Sequence, residues 1–221
     1  MTTSSWDLTK PRSKYHFDNF KIDPEQDRVI RLGHITADWS SELKKIIDTA
    51  QPATWRTRGA VGKARPEEEL AAEEYDLERA GYGKDYVITH LNWEVPEVLL
   101  NISNLFGLED CMNRIHVQRP GEVWNLHLDK LEKWCPHNPD SVIRLQLQLT
   151  DWEQVHFWSY GNYLHQGWRA GDLTTFDWQN IPHSTANAGL NPRVTFQMTG
   201  VITEQTRTFL HRLSQVNSFI I

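Results

Sequence analysis

The chain has 221 residues, enough for one domain to close a hydrophobic core with no disulfide or metal staple. Lys+Arg 23 against Asp+Glu 29 gives a formal net charge of −6, which excludes the broad basic face of a sequence-independent nucleic-acid binder. No run reaches the ~18 apolar residues of a membrane span, and the opening MTTSSWDLTKPRSKYHF has no apolar signal core. With two cysteines only, Cys111 and Cys135, the sequence predicts a cytoplasmic protein with no membrane or nucleic-acid partner. Ten Trp and ten His stand out in so polar a chain. Histidine is the commonest transition-metal ligand, so metal chemistry is the first thing to look for.

Residues 1–28 are polar, carry Pro11 and Pro24, and read as an extended lead-in. The stretch from Ile35 to Ala50 reads as a helix capped by Asp38, with Leu43, Ile46 and Ile47 on one stripe and Pro52 beyond its end. Residues 53–66 form a basic, Gly-containing loop with Arg56, Arg58, Lys63 and Arg65. An acidic helix is predicted from Pro66, ending at Gly81. DYVITHLNW is a strand, and a second helix runs from Pro96 to Phe106 with Gly107 as its stop. From Cys111 the texture changes to short segments with period-two alternation, separated by Pro, Gly, Asn and Asp. That pattern predicts an antiparallel sandwich or barrel. The last fifteen residues read as a short helix, followed by an apolar Phe-Ile-Ile end that docks on the body or on a partner. The expected organisation is one α+β domain over 1–221. Residues 1–110 are lead-in and helical buttress, 111–203 a β-rich core, and 204–221 a tail.

Alternation assigns side chains to faces. In EVWNLHLD, Val123, Asn125, His127 and Asp129 face one way and Trp124, Leu126 and Leu128 the other. Arg144, Gln146 and Gln148 share a face in one later strand, and Arg193, Thr195 and Gln197 in another. These polar faces look at solvent or line a polar cavity. His183 lies 56 residues after His127 (183 − 127) and Arg193 ten after His183 (193 − 183). Two imidazoles and one carboxylate can occupy one face of an octahedral metal, the facial triad of non-haem Fe(II) oxygenases. A guanidinium with a hydroxyl beside it can hold a carboxylate.

The run HLD…IPHSTANAG…RVT resembles the Fe(II)/2-oxoglutarate-dependent dioxygenase superfamily, whose pattern is His-x-Asp/Glu, a distal His, then Arg-x-Ser/Thr. The resemblance spans Ile115 to Ile202. A looser likeness, through Phe176, Asp177, Asn187 and Arg193, is to its aspartyl/asparaginyl β-hydroxylase branch. That branch often lacks the first-strand carboxylate present here as Asp129, and Ser184-Thr185-Ala186 departs from its usual residues. His16-Phe17-Asp18 repeats the dipeptide pattern, but the position ten after its next distal candidate, His90, is Leu100.

The resemblance implies a double-stranded β-helix, a jelly roll with buttressing helices. It implies Fe(II) on His127, Asp129 and His183, and 2-oxoglutarate held through Arg193 and Thr195, with O2 as cosubstrate. The reaction implied is hydroxylation of an amino acid, or of an amino-acid residue in a peptide, with release of succinate and CO2. Gln118, Arg144 and Gln146 are further candidates for cosubstrate contact. Asn125, Asp177 and Asn187 are candidates to orient the metal ligands, and Arg58 and Trp158 to meet substrate. The alternative is a cupin-like metal-binding protein of other chemistry, a hydrolase or isomerase, or a non-catalytic binding module.

Overall fold

The computed structural model describes residues 29–54, 86–127, 129, 131, 135–161, 163–178, 181–216 and 218–221. The lead-in 1–28, Arg58 with most of the basic loop, and the acidic helix lie outside the described residues.

Eight consecutive strands build the central body. They are β4 (Glu109–Gln118), β5 (Val123–His127), β6 (Val142–Gln148), β7 (His156–Tyr160), β8 (Tyr163–His165), β9 (Asp172–Thr175), β10 (His183–Asn187) and β11 (Arg193–Val201). They fall into two sheets, β9-β6-β11-β4 and β5-β10-β7-β8, and every pairing within each is antiparallel. Numbered from the first of the eight, the orders are 6-3-8-1 and 2-7-4-5. That is a double-stranded β-helix, the jelly roll with two sheets closing on one interior.

Further strands widen the larger sheet to the order β12-β1-β9-β6-β11-β4-β3-β2. β1 (Ile30–Thr36), β2 (Gln51–Thr54) and β3 (Val87–Asn92) come from the first half of the chain and β12 (Ser218–Ile220) from its end. The helix expected from Ile35 therefore begins later. Ile35 lies in β1, and α1 spans Ser40–Thr49. Asp38 accepts a hydrogen bond from the Ser40 N–H at 3.0 Å, and Pro52 lies inside β2. Local helix propensity gives way here to pairing with β9 and β12. The apolar C-terminal end docks as β12, with Ile221 N–H donating to the Thr36 carbonyl at 2.9 Å.

Three helices among the described residues, α1, α2 (Glu97–Phe106) and α3 (Glu204–Val216), cover the outer face of the large sheet. Their buried residues Ile46, Leu99, Ile102, Phe106, Phe209 and Leu213 pack on Ile115, Val117, Leu145, Leu147, Val194, Phe196 and Met198. Gly107 ends α2 in the left-handed region at φ 58°, its N–H on the Asn104 carbonyl at 3.2 Å. Gly33 lets β1 approach α3, since a Cβ there would stand 2.6 Å from Leu213 Cγ.

The large sheet is thus apolar outward, toward the helices, and polar inward. Arg114, His116, Gln118, Arg144, Gln146, Arg193, Thr195 and Gln197 line the barrel interior. The turn from β4 to β5 is held by Glu122, whose Oε2 accepts the Arg119 N–H at 2.8 Å and whose Oε1 lies 2.6 Å from His90 Nδ1. Burial pushes the Glu122 carboxyl up to about 7 and the His90 imidazole down to about 4, with Arg119 adding to the latter. No helix among the described residues is long and apolar enough to cross a membrane.

Candidate metal centre

β5 delivers His127 at its last residue and β10 delivers His183 at its first, and the two are register partners. A β-bulge separates this pair from the next, Thr185 opposite Trp124. β5 takes three steps where β10 takes two. The extra step turns Trp124 onto the same face as His127, where the rings stack at 5.4 Å and 14°. Strict alternation put Trp124 on the opposite face, so this placement is a correction, and the bulge is its cause.

Asp129 follows β5, placed by its N–H on the Trp178 carbonyl at 3.1 Å. Its Oδ1 is 3.7 Å from His127 Nε2 and its Oδ2 is 3.5 Å from His183 Nε2. One potential ligand atom from each of the three residues falls within 4.8 Å of the others. Ligand atoms at right angles around a metal ~2.1 Å away stand about 3 Å apart, so small rotations close this set on one ion. His183 Nδ1 lies 3.1 Å from the Ile181 carbonyl. A carbonyl only accepts, so Nδ1 carries the proton and Nε2 presents its lone pair inward. Arg144 pairs with Asp129 Oδ2 and fixes its own Nε on Thr199 Oγ1 at 3.1 Å. Burial opposes ionisation of Asp129. The Arg144 guanidinium and the two imidazoles outweigh it and hold the carboxyl well below its usual range.

Arg193 begins β11 and pairs across to Gln118 at the other end of the same cavity. It is buried, and burial lowers it to about 9. Its guanidinium carbon stands 4.5 Å from the Trp168 ring and 5.3 Å from the Trp158 ring. Its Nε and Nη1 are buried without a hydrogen-bond partner. Thr195 Oγ1 donates to Gln148 Oε1 at 3.0 Å, leaving Gln148 Nε2 buried and unmatched, as is Trp168 Nε1. Arg193 Nε and Nη1, Gln148 Nε2 and Trp168 Nε1 are four unmatched donors, and a carboxylate accepts several hydrogen bonds at once. Gln118 Nε2 is spent on the Thr185 carbonyl and hydroxyl, both at 3.1 Å, while its Oε1 is unmatched. Gln146 and Trp158 also line the cavity.

Asn187, expected to orient His183, does not do so through its side chain. Asn187 lies at the far end of β10, four residues or about 13 Å along the strand. Its Nδ2 donates to the Gln118 and Asn191 carbonyls at 2.8 Å, closing the turn to β11. Asp177 is exposed, and its main-chain carbonyl accepts the Ile181 N–H at 3.1 Å. The Ile181 carbonyl in turn holds His183. Asn125 lies in β5, and its side chain is outside the described residues.

Arg114, His116, Trp124 and Thr185 also line the cavity and were not singled out in the sequence. Arg114 and His116 were within reach, since they share the face of Gln118 by simple alternation along β4. Trp124 was hidden by the bulge.

Fold and site together define a jelly-roll protein with a buried, metal-competent His-Asp-His cluster at one end of its cavity. No family model matches the chain, and no curated protein matches it in sequence. Among solved structures, it is similar to the non-heme alpha-ketoglutarate-dependent epimerase SnoN from nogalamycin biosynthesis. The identity is 12%, over 65% of this chain and 78% of that one, with a TM-score of 0.42. It is also similar to a Cupin 2 conserved barrel domain protein from Salinispora arenicola (12%, 56% and 84%, TM-score 0.33). A predicted oxalate decarboxylase from Thermotoga maritima is a third (11%, 52% and 81%, TM-score 0.34). At such identities the fold assignment stands on the strand order itself.

Proposed function

We propose that the chain is an Fe(II)- and 2-oxoglutarate-dependent oxygenase. It hydroxylates an unactivated C–H bond of an amino acid, or of an amino-acid residue in a peptide, and releases succinate and CO2. One observation carries this reading. A single cavity holds two imidazoles and a carboxylate gathered for a metal at one end, and a buried guanidinium with unmatched donors at the other.

The donor set fits the metal. Two imidazole nitrogens and one carboxylate oxygen, from His127, His183 and Asp129, would hold Fe(II) as a facial triad does. When bound, iron with the keto acid supplies O2 activation coupled to oxidative decarboxylation. The chain's own residues do the rest. Arg144 keeps Asp129 anionic and oriented, and the Ile181 carbonyl fixes the tautomer of His183. Arg193 offers its fork to the distal carboxylate of 2-oxoglutarate. Thr195 acts through Gln148, whose amide is the unmatched donor beside it. Trp124 and Trp158 line the cavity walls and exclude water from them.

The test is anaerobic titration of Fe(II) with and without 2-oxoglutarate, followed by visible absorption. The expected result is a metal-to-ligand charge-transfer band with the wild type that is lost in His127→Ala, followed in air by 2-oxoglutarate-dependent succinate release. Iron binding indifferent to 2-oxoglutarate, with no band, would refute the reading.

A further inference from the structure

At neutral pH 2-oxoglutarate is a dianion whose carboxylates and keto oxygen accept hydrogen bonds and donate none. It can meet the donors around Arg193, but it cannot meet a buried acceptor. Among the described residues lining the cavity, Arg193 Nε and Nη1, Gln118 Oε1, His116 Nε2 and Trp124 Nε1 are buried without a hydrogen-bond partner. Arg193 and Gln118 face each other across β11 and β4, at the cosubstrate end. His116 Nε2 and Trp124 Nε1 remain, one from each sheet. Neither belongs to the triad or to the Arg193 clamp. A buried polar atom left unmatched is destabilising, so both call for a partner.

The two rings are neighbours. Trp124 lies 5.1 Å from His116 at 31° and 5.4 Å from His127 at 14°, so the pair stands beside a metal ligand. Trp124 Nε1 can only donate. The role of His116 Nε2 follows from the other ring nitrogen. Gln197 hydrogen-bonds the imidazole in the sense that favours its protonated form, that of a donated N–H. Gln197 Oε1 accepts Arg114 Nε at 2.6 Å and has a second lone pair for it. Since Nε2 is unmatched, the donated N–H is on Nδ1. Desolvation, with the Arg114 and Arg144 guanidiniums adding to it, keeps the ring neutral, well below its usual range, so only one nitrogen carries a proton. Nε2 is then a bare lone pair, an acceptor next to a donor. A carboxylate would set its own lone pairs against that of Nε2. An ammonium would leave Trp124 unmatched, and the same two guanidiniums oppose it. A neutral group with both a donor and an acceptor, a hydroxyl or a carboxamide, satisfies the pair.

Resting on the function proposed above, we infer that His116 and Trp124 select the substrate by its side chain, a hydroxyl or carboxamide that donates to His116 Nε2 and accepts from Trp124 Nε1. The main chain of a free amino acid offers only the ammonium and carboxylate set aside above. In a peptide, the N–H and C=O of one trans amide point opposite ways, whereas a primary carboxamide carries an N–H on the same edge as its oxygen. The side chain therefore supplies the group in either form. The empty space of the cavity, counted out to its opening, is ≈ 570 Å³, in the usual range for small-molecule sites.

The experiment uses the anaerobic Fe(II)–2-oxoglutarate protein, titrated calorimetrically with polar amino acids beside their apolar isosteres. The hydroxyl arm sets L-serine against L-2-aminobutyrate, L-threonine against L-valine and L-tyrosine against L-phenylalanine. The carboxamide arm sets L-asparagine against L-leucine and L-glutamine against L-homoleucine. Each compound is used free and as its N-acetyl methylamide, which covers the residue in a peptide. The charge-transfer band is read first, and its absence is a failure of the proposed function, not of the selection by His116 and Trp124. With the band present, at least one polar compound is expected to bind about a hundredfold or more tighter than its isostere. His116→Phe keeps a ring and removes the acceptor, and Trp124→Phe keeps a ring and removes the donor. Each is expected to lower that ratio by about tenfold or more and leave the band in place. If no polar compound binds more tightly than its isostere, or if the ratio is unchanged in both variants, the inference is overturned. The wild-type comparison and Trp124→Phe decide if His116→Phe does not fold.

Discussion

Arg193→Met separates binding from stability, because the two should move in opposite directions. In the protein without ligands, Arg193 is a buried cation with unmatched Nε and Nη1. Burial lowers its pKa to about 9, which corresponds to about 5 kcal/mol of destabilisation of the charged form. The Trp168 and Trp158 rings against it return about 1–3 kcal/mol. A net penalty on the order of 2–4 kcal/mol is left, and methionine, of similar reach and no charge, removes it. The metal-free variant should then melt higher than wild type, by roughly 2–4 °C for each kcal/mol in a domain of this size. The sign also fixes a pH window. A cation whose folded pKa is depressed lowers stability fully below about pH 9, and the penalty fades as pH rises beyond that. Affinity for 2-oxoglutarate, measured on the Fe(II) form, should fall by on the order of a hundredfold or more with loss of a charged, two-pronged partner. Scanning calorimetry of the apo proteins and the visible band of the loaded ones read the two effects separately. An apo variant that melts several degrees below wild type, with unchanged 2-oxoglutarate affinity, would refute the reasoning.

Asp129→Asn should abolish Fe(II) binding and also destabilise the metal-free protein, by about 3 kcal/mol in urea denaturation, because Arg144 loses its buried counter-charge. The Glu122–His90 pair predicts a pH signature. Glu122, raised to about 7, contributes stability that is lost as pH climbs from about 4.5 through 7, whereas His90, lowered to about 4, costs stability as pH falls from about 6.5 to 4. The two slopes oppose one another between about pH 4.5 and 6.5, so Glu122→Gln should gain on wild type steadily from pH 5 to pH 8 in chemical denaturation. Gly33→Ala should cost about 1–3 kcal/mol, since its Cβ would press on Leu213 of α3, and a thermal melt at or above the wild-type value would contradict that packing.

Period-two alternation was enough to place Arg144 and Gln146, and Arg193, Thr195 and Gln197, on shared faces, because β6 and β11 are regular where those residues lie. It failed at Trp124, where a bulge adds a step that no local pattern announces. It also left open whether the polar faces met water or a cavity. That choice is made by α1, α2 and α3, which cover the opposite face. The helix reading from Ile35 failed for a related reason. β1 is a strand only because β9 and β12 pair with it, and β9 begins more than a hundred residues downstream. Gly107 and the helix before it were legible because caps act locally. The orientation of His183 by a main-chain carbonyl was not, because a carbonyl has no residue letter.

Strands β4, β6 and β11 each serve two tasks on alternate positions, in β11 Val194, Phe196 and Met198 for the helices and Arg193, Thr195 and Gln197 for the cavity. Mutational drift can therefore retune one set with little disturbance of the other. A saturation library confined to the inward positions of β4, β6 and β11 should stay largely folded while ligand preference diversifies, which makes this barrel a favourable scaffold for directed evolution.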